Sequence, residues 1–162
     1  MITQYSVENI YYQDESGFDE YFTRLYGYSK KGEKIYTQTS GKRYERQSIT
    51  ALRNFEHKLV EPIIYEGTAD SELICIYFES VLPKLIQKSV IIMDNASFHK
   101  SQKLKKLFEY YGHVLYFLPA YSPDLNPIEN MWGTIKNNLR NYYDYSKTLF
   151  ENLSYWVCQY CV

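Results

Sequence analysis

Three acidic residues in this sequence stand where a strand is expected to end or a helix to begin. They are Asp14 in "YYQDESGF", Asp94 in "VIIMDNAS" and Glu129 in "SPDLNPIENMW". Hard divalent cations such as Mg²⁺ are bound by carboxylate oxygens and keep several waters, so two or three acids suffice. Three acids around two such ions about 3.5–4 Å apart can activate a water and stabilise the leaving oxygen of a phosphodiester. That chemistry needs no nucleophilic side chain. The sequence offers none in a recognisable setting: there is no Ser/His/Asp or Cys/His constellation, Gly-rich phosphate loop or dinucleotide fingerprint.

Each acid also has a purely local use. Asp14, in "DESG", is a good turn residue, and Asp94, in "DNAS", can cap the loop that follows it. Around Glu129 the pattern is that of a helix start. Asn126 suits the N-cap, Pro127 the first helical position and Glu129 the third, where a carboxylate reaches back to the cap.

The elements that must position these acids can be read in chain order. "NIYYQDES" predicts a strand stopped by "DESG", and "YFTRLYGYSKKGEKIYTQTS" a hairpin around the turn-forming "SKKGE". "QSITALRNF" predicts a further strand. "TADSELICIYFESVLPKLI" has near-helical spacing of Leu73, Ile76, Tyr77 and Val81, with Asp70 or Ser71 as cap. The uninterrupted apolar run Val90–Met93 predicts a central strand covered on both faces. Leu104, Leu107, Phe108 and Tyr111 then mark an amphipathic helix stopped by Gly112, and "HVLYFLP" predicts another strand. From Pro127 a second amphipathic helix carries Ile128, Met131, Trp132, Ile135 and Leu139 on one stripe, with Glu129, Gly133, Lys136 and Arg140 along a neighbouring edge. This order predicts an α/β domain, a mixed five-stranded sheet with helices on its faces, spanning residues 1–162. Ligands of open sheets bind beyond the carboxyl ends of the strands, which is where Asp14, Asp94 and Glu129 are expected to converge.

Composition is that of a soluble chain, with 45% hydrophobic and 23% charged residues among 162. No apolar run reaches membrane-span length and the N-terminus lacks a signal-peptide pattern, so a cytoplasmic location is expected. Cys75, Cys158 and Cys161 do not form a disulfide framework, and "CQYC" supplies only half a zinc site. The 19 tyrosines run through the whole chain, as A+T-biased coding would give, rather than forming one base-stacking platform. A net charge of −1 excludes a global basic field. Local charge is uneven, however: residues 84–106 hold six lysines, among them Lys100 and Lys103, against the single acid Asp94. Together with Lys136 and Arg140, these could line a groove for a phosphate backbone or simply form solvated helix faces.

"YYQDESGF", "IIMDNASFHKS" and "LPAYSPDLNPIENMW" resemble the three catalytic blocks of DDE transposases of the Tc/mariner superfamily, in particular its bacterial insertion-sequence branch. Thirty-four residues separate Asp94 from Glu129, matching the spacing of that branch. "YGYSKKGEKI" and "YEGTADSELICIYFESVLPKL" are similar to it as well, so the resemblance covers nearly the whole chain. It implies a ribonuclease H-like fold and a metal-dependent phosphoryl transferase that cuts DNA and joins the cut ends to a target. By the same resemblance, Asp14 would bridge two Mg²⁺ ions, for which Mn²⁺ could substitute, and Asp94 and Glu129 would each bind one. Asn95, His99 and Asn126 fall in the matching blocks and are expected to support the site. Expected partners are transposon-end and target DNA, a second copy when assembled on DNA, and a separately encoded N-terminal half. The family's helix-turn-helix region has no counterpart ahead of Asp14 in these residues. Competing expectations are a stand-alone ribonuclease H-like nuclease and an inactive remnant or weak DNA- or partner-binding module. A phospho-accepting signalling domain is a third, but it would need a lysine where "FLPAYSPD" stands.

Overall fold

A computed structural model describes residues 5–20, 30–32, 34, 45–86, 88–119 and 122–162 of the chain. Five strands form one sheet: β1 (Ile10–Asp19), β2 (Arg46–Arg53), β3 (Leu59–Tyr65), β4 (Val90–Met93) and β5 (Val114–Phe117). Their order is β3-β2-β1-β4-β5, antiparallel among the first three and parallel from β1 to β4 to β5. The helices are α1 (Ser71–Val81), α2 (Gln102–Tyr111), α3 (Ile128–Tyr142) and α4 (Leu149–Cys158).

The sheet is covered on both sides, as the mixed arrangement predicts. On one face Tyr11, Leu52, Ile91 and Met93 pack with Ile74 and Phe78 of α1 and Leu104 and Phe108 of α2. On the other, Phe18, Ile49 and Ala51 meet Ile128, Trp132, Ile135 and Leu139 of α3 and Leu153 and Val157 of α4. Val90–Met93 is buried at every position, which is why it reads as an unbroken apolar run. The side-chain period of two sends alternate residues of β1 to opposite faces, and that alternation governs the site.

The local signals at α1 and α2 act as read. Asp70 accepts from the backbone N–H groups of Glu72 and Leu73, and Gly112 ends α2 at φ +73° in the left-handed region. One expectation is corrected, and two elements come in addition. β1 does not stop at "DESG" but runs through it to Asp19, because Glu15–Asp19 pair with β2 down to Arg46. Neither β3, between β2 and α1, nor α4, after α3, is among the elements read from the sequence. The hairpin expected over "YFTRLYGYSKKGEKIYTQTS" lies outside the described residues apart from 30–32 and 34.

β3 is an edge strand with Pro62 inside it. Its ladder with β2 slips between Thr50 and Leu52, and Glu61 takes φ +49° there. On its outer side, the Leu59 N–H donates to the Tyr160 carbonyl at 2.7 Å and the Val162 N–H donates to the Leu59 carbonyl at 3.2 Å. Residues 160–162 thus cover the start of this edge. No helix among the described residues is long and apolar enough to cross a membrane.

Candidate active site

The parallel ladder of β1 and β4 pairs Ile10 with Val90, Tyr11 with Ile91 and Tyr12 with Ile92. Two residues further along the same register stand Asp14 and Asp94. Asp14 belongs to the even-numbered residues of β1, which face α3. There the Trp132 indole N–H donates to Asp14 Oδ2 at 3.0 Å. Trp132 itself is buried against Phe18 in an edge-to-face contact, so the donor is rigidly aimed.

Asp14 is only 8% exposed. Burial, together with the nearby charges of Glu129 and Glu15, pushes its carboxyl up to about 7, despite the Trp132 hydrogen bond that favours the anion. A carboxylate in this setting binds a proton readily and would be relieved by any cation. Glu129 stands exposed in the first turn of α3, close enough to act on Asp14 through its charge.

The capping box expected at α3 does not form. Pro127 occupies the cap and makes no side-chain cap bond. Asn126 is instead buried, and its Nδ2 donates to the Gln13 carbonyl at 3.3 Å, tying the approach to α3 to β1 beside Asp14. Glu129 is therefore not engaged in capping by Asn126.

Asp94 follows β4 with its side chain 51% exposed. Its Oδ1 accepts from the Ala96 N–H at 3.1 Å, the loop-capping contact its sequence context suggests. The same oxygen lies 2.7 Å from His99 Nδ1. His99 is fully buried, and its Nε2 faces Glu15 Oε1 at 3.3 Å. Burial opposes the imidazolium charge, but the hydrogen bonds and charges of Asp94 and Glu15 outweigh it and push His99 up to about 9. The His99 hydrogen bond correspondingly holds the Asp94 carboxyl below its ordinary range.

The structure thus brings Asp14 and Glu129 into each other's field and sets Asp94 at the neighbouring strand end, held by His99. Among the described residues, no three acids, histidines or cysteines stand close enough together to chelate one ion unaided. Asn95 is half-buried in the loop after β4. Of the basic residues, Lys100 and Arg140 are exposed, Lys103 pairs with Glu79 at 3.3 Å, and Lys136 Nζ sits 5.3 Å from the centre of the Phe18 ring. Sequence reasoning missed Glu15 and the hydrogen-bonding role of Trp132. The signal for Glu15 was available: one residue on from Asp14 in a strand is the opposite face.

Residues 9–150 match the family described as DDE superfamily endonuclease. An uncharacterised protein of Sinorhizobium fredii, y4pE/y4sA, is 42% identical over 50 residues, 31% of this chain and 35% of that protein. The transposable element Tc3 transposase of Caenorhabditis elegans is 48% identical over 42 residues, 26% of this chain and 13% of that one. Among solved structures, the Mos1 transposase paired-end complex with left transposon end superposes with a TM-score of 0.73 at 15% identity, over 94% of this chain and 48% of that one. The catalytic domain of Mos1 mariner transposase gives 0.66 at 12% identity, over 94% and 69%. The likeness establishes a shared, ribonuclease H-like fold. The aligned stretches span about a third or less of the curated relatives, and the chain spans about half of the first Mos1 complex.

Proposed function

Because the chain belongs to the DDE superfamily endonucleases, we propose that residues 1–162 act as the catalytic domain of a Tc/mariner-type transposase, cutting DNA phosphodiesters and transferring the freed strand to a target. The observation that carries this is Asp14, a buried carboxylate pushed up to about 7 beside Glu129, in line with Asp94 across the parallel strands. The donors are all oxygens, and Asp14 gains from any nearby cation, so the residues fit a hard divalent ion. Asp14, Asp94 and Glu129 would hold two Mg²⁺, with Mn²⁺ substituting. When bound, such ions supply Lewis-acid polarisation of a phosphodiester oxygen and a lower pKa for the attacking hydroxyl.

The chain's own residues hold the ligands. The Trp132 N–H fixes one oxygen of Asp14, and His99 and the Ala96 N–H hold Oδ1 of Asp94. Asn126 anchors the segment leading to Glu129 onto β1. Lys136 and Arg140 run down α3 from Glu129 and, with Lys100 and Lys103 near α2, would neutralise DNA phosphates. With no overall basic field at a net charge of −1, recognition of element ends would fall to a separately encoded half; a second copy would join on DNA.

Calorimetric titration of Mn²⁺ into the wild type and an Asp94→Asn variant tests this. Saturable binding that weakens at least tenfold in the variant, with Mn²⁺-dependent DNA cleavage lost, is expected. A folded wild type that binds no Mn²⁺ is the outcome for a remnant that has lost its chemistry, and overturns the proposal.

A further inference from the structure

A polar chain crosses the interior on the α1 side of the sheet, opposite to Asp14. Gln13 is fully buried in β1, and its Nε2 donates both to Thr50 Oγ1 at 3.0 Å and to Glu15 Oε1 at 2.7 Å. Glu15 Oε1 in turn faces His99 Nε2 at 3.3 Å, and His99 Nδ1 faces Asp94 Oδ1 at 2.7 Å. Two neighbouring strands are thereby connected, through one imidazole, to the acid after β4.

From this chain we infer that Glu15 is a positioning residue: by fixing the His99 ring from its Nε2 side, it sets the orientation of the Asp94 carboxylate. Glu15 stands at 15% side-chain exposure and His99 at 0%, so solvent offers His99 little alternative partner. A carboxyl group can turn about its last bond, and Asp94 is half-exposed; Oδ1 is held only because its donors are held. The Ala96 N–H is fixed by the backbone, and the His99 ring is met at its far nitrogen by Glu15. Buried imidazoles that orient a ligand carboxylate act on ion affinity in this indirect way. Burying an acid beside Asp14 raises the cost of the Asp14 charge, a cost that a structural role elsewhere in the core would not require.

The inference rests on the proposed ion site, so the test separates the two. Mn²⁺ affinity is measured by calorimetry for wild type, Asp94→Asn, Glu15→Leu and Glu15→Gln, each checked for native circular dichroism and thermal unfolding. Glutamine keeps an oxygen where Oε1 stands but carries no charge. Expected are a loss of about tenfold or more for Glu15→Leu and affinity within about threefold of wild type for Glu15→Gln. Equal weakening in both folded variants would mean that Glu15 acts only through its charge, and overturns positioning. Wild-type affinity in Glu15→Leu also overturns it, with the ion site intact. If Glu15→Leu does not fold, Glu15→Ala takes its place: a loss of about tenfold or more, with Glu15→Gln within about threefold of wild type, supports positioning, and wild-type affinity in Glu15→Ala overturns it. Absence of Mn²⁺ binding by wild type would instead strike the proposed function itself.

Discussion

Asp14→Asn should stabilise the ion-free protein at pH 8, although it removes a residue proposed for catalysis. The native carboxyl stands at about 7 against an ordinary 3.8. Its folded value lies above the unfolded one, so the native state holds the proton more tightly. The group therefore supports the fold fully below about pH 4, and that support is lost as pH rises to about 7. At about 1.4 kcal/mol per tenfold, the difference is on the order of 4 kcal/mol, an upper bound because the site relaxes around the charge. Asparagine has nearly the same shape and keeps an oxygen for the Trp132 N–H, so little else changes. For a chain of this length each kcal/mol moves the midpoint by about 2–4 °C, giving a rise of roughly 5–15 °C at pH 8. Thermal unfolding in EDTA at pH 8 and pH 5 measures it. The gain should shrink steeply at pH 5, where wild-type Asp14 is protonated. A variant no more stable than wild type at pH 8, or equally stabilised at both pH values, would refute the idea that a strained buried charge is stored there.

His113 carries the opposite sign. Its Nδ1 accepts from the Ser89 N–H and its Nε2 faces the Leu82 carbonyl, and burial lowers its pKa, so the fold should lose stability as pH falls below about 6.5. His113→Asn should flatten that acid limb in urea titrations between pH 7 and 5; an unchanged slope difference would remove His113 from it. On the functional side, Lys136→Ala with Arg140→Ala should weaken DNA binding and reduce the steepness of its salt dependence by up to about two phosphate contacts. Because Lys136 also packs over Phe18, a small loss of stability should accompany it, and an unchanged salt slope would return both residues to a solvated helix face.

Much of the fold was legible because its strongest elements are locally consistent. β4 is buried at all four positions, and α2 and α3 each present one apolar stripe to the sheet. β3 was not legible because "LVEPIIY" carries a proline and a left-handed glutamate, tolerable only at a bulged edge, and edge position is a tertiary fact. The three acids could be singled out by their places at element ends. Which oxygen each donor holds could not be, since Trp132 reaches Asp14 across 118 positions and His99 reaches Glu15 across 84. Asn126 illustrates the limit from the other side. Its type and spacing suit a helix cap, yet its amide nitrogen is turned to a buried strand carbonyl and Pro127 takes the cap position.

The covering of β3 by residues 160–162 bears on how the chain folds during synthesis. Leu59 leaves the ribosome about a hundred residues before Tyr160, a separation that makes the loop between them costly to close early. Until then the outer side of β3 has donors and acceptors with nothing from this segment to meet them, and a nascent chain in that state can pair with another like itself. Pro62 and the bulge at Glu61 shorten the stretch of regular edge on offer. The irregularity that hid this strand from sequence reading would thus guard the chain during the interval before its edge is closed.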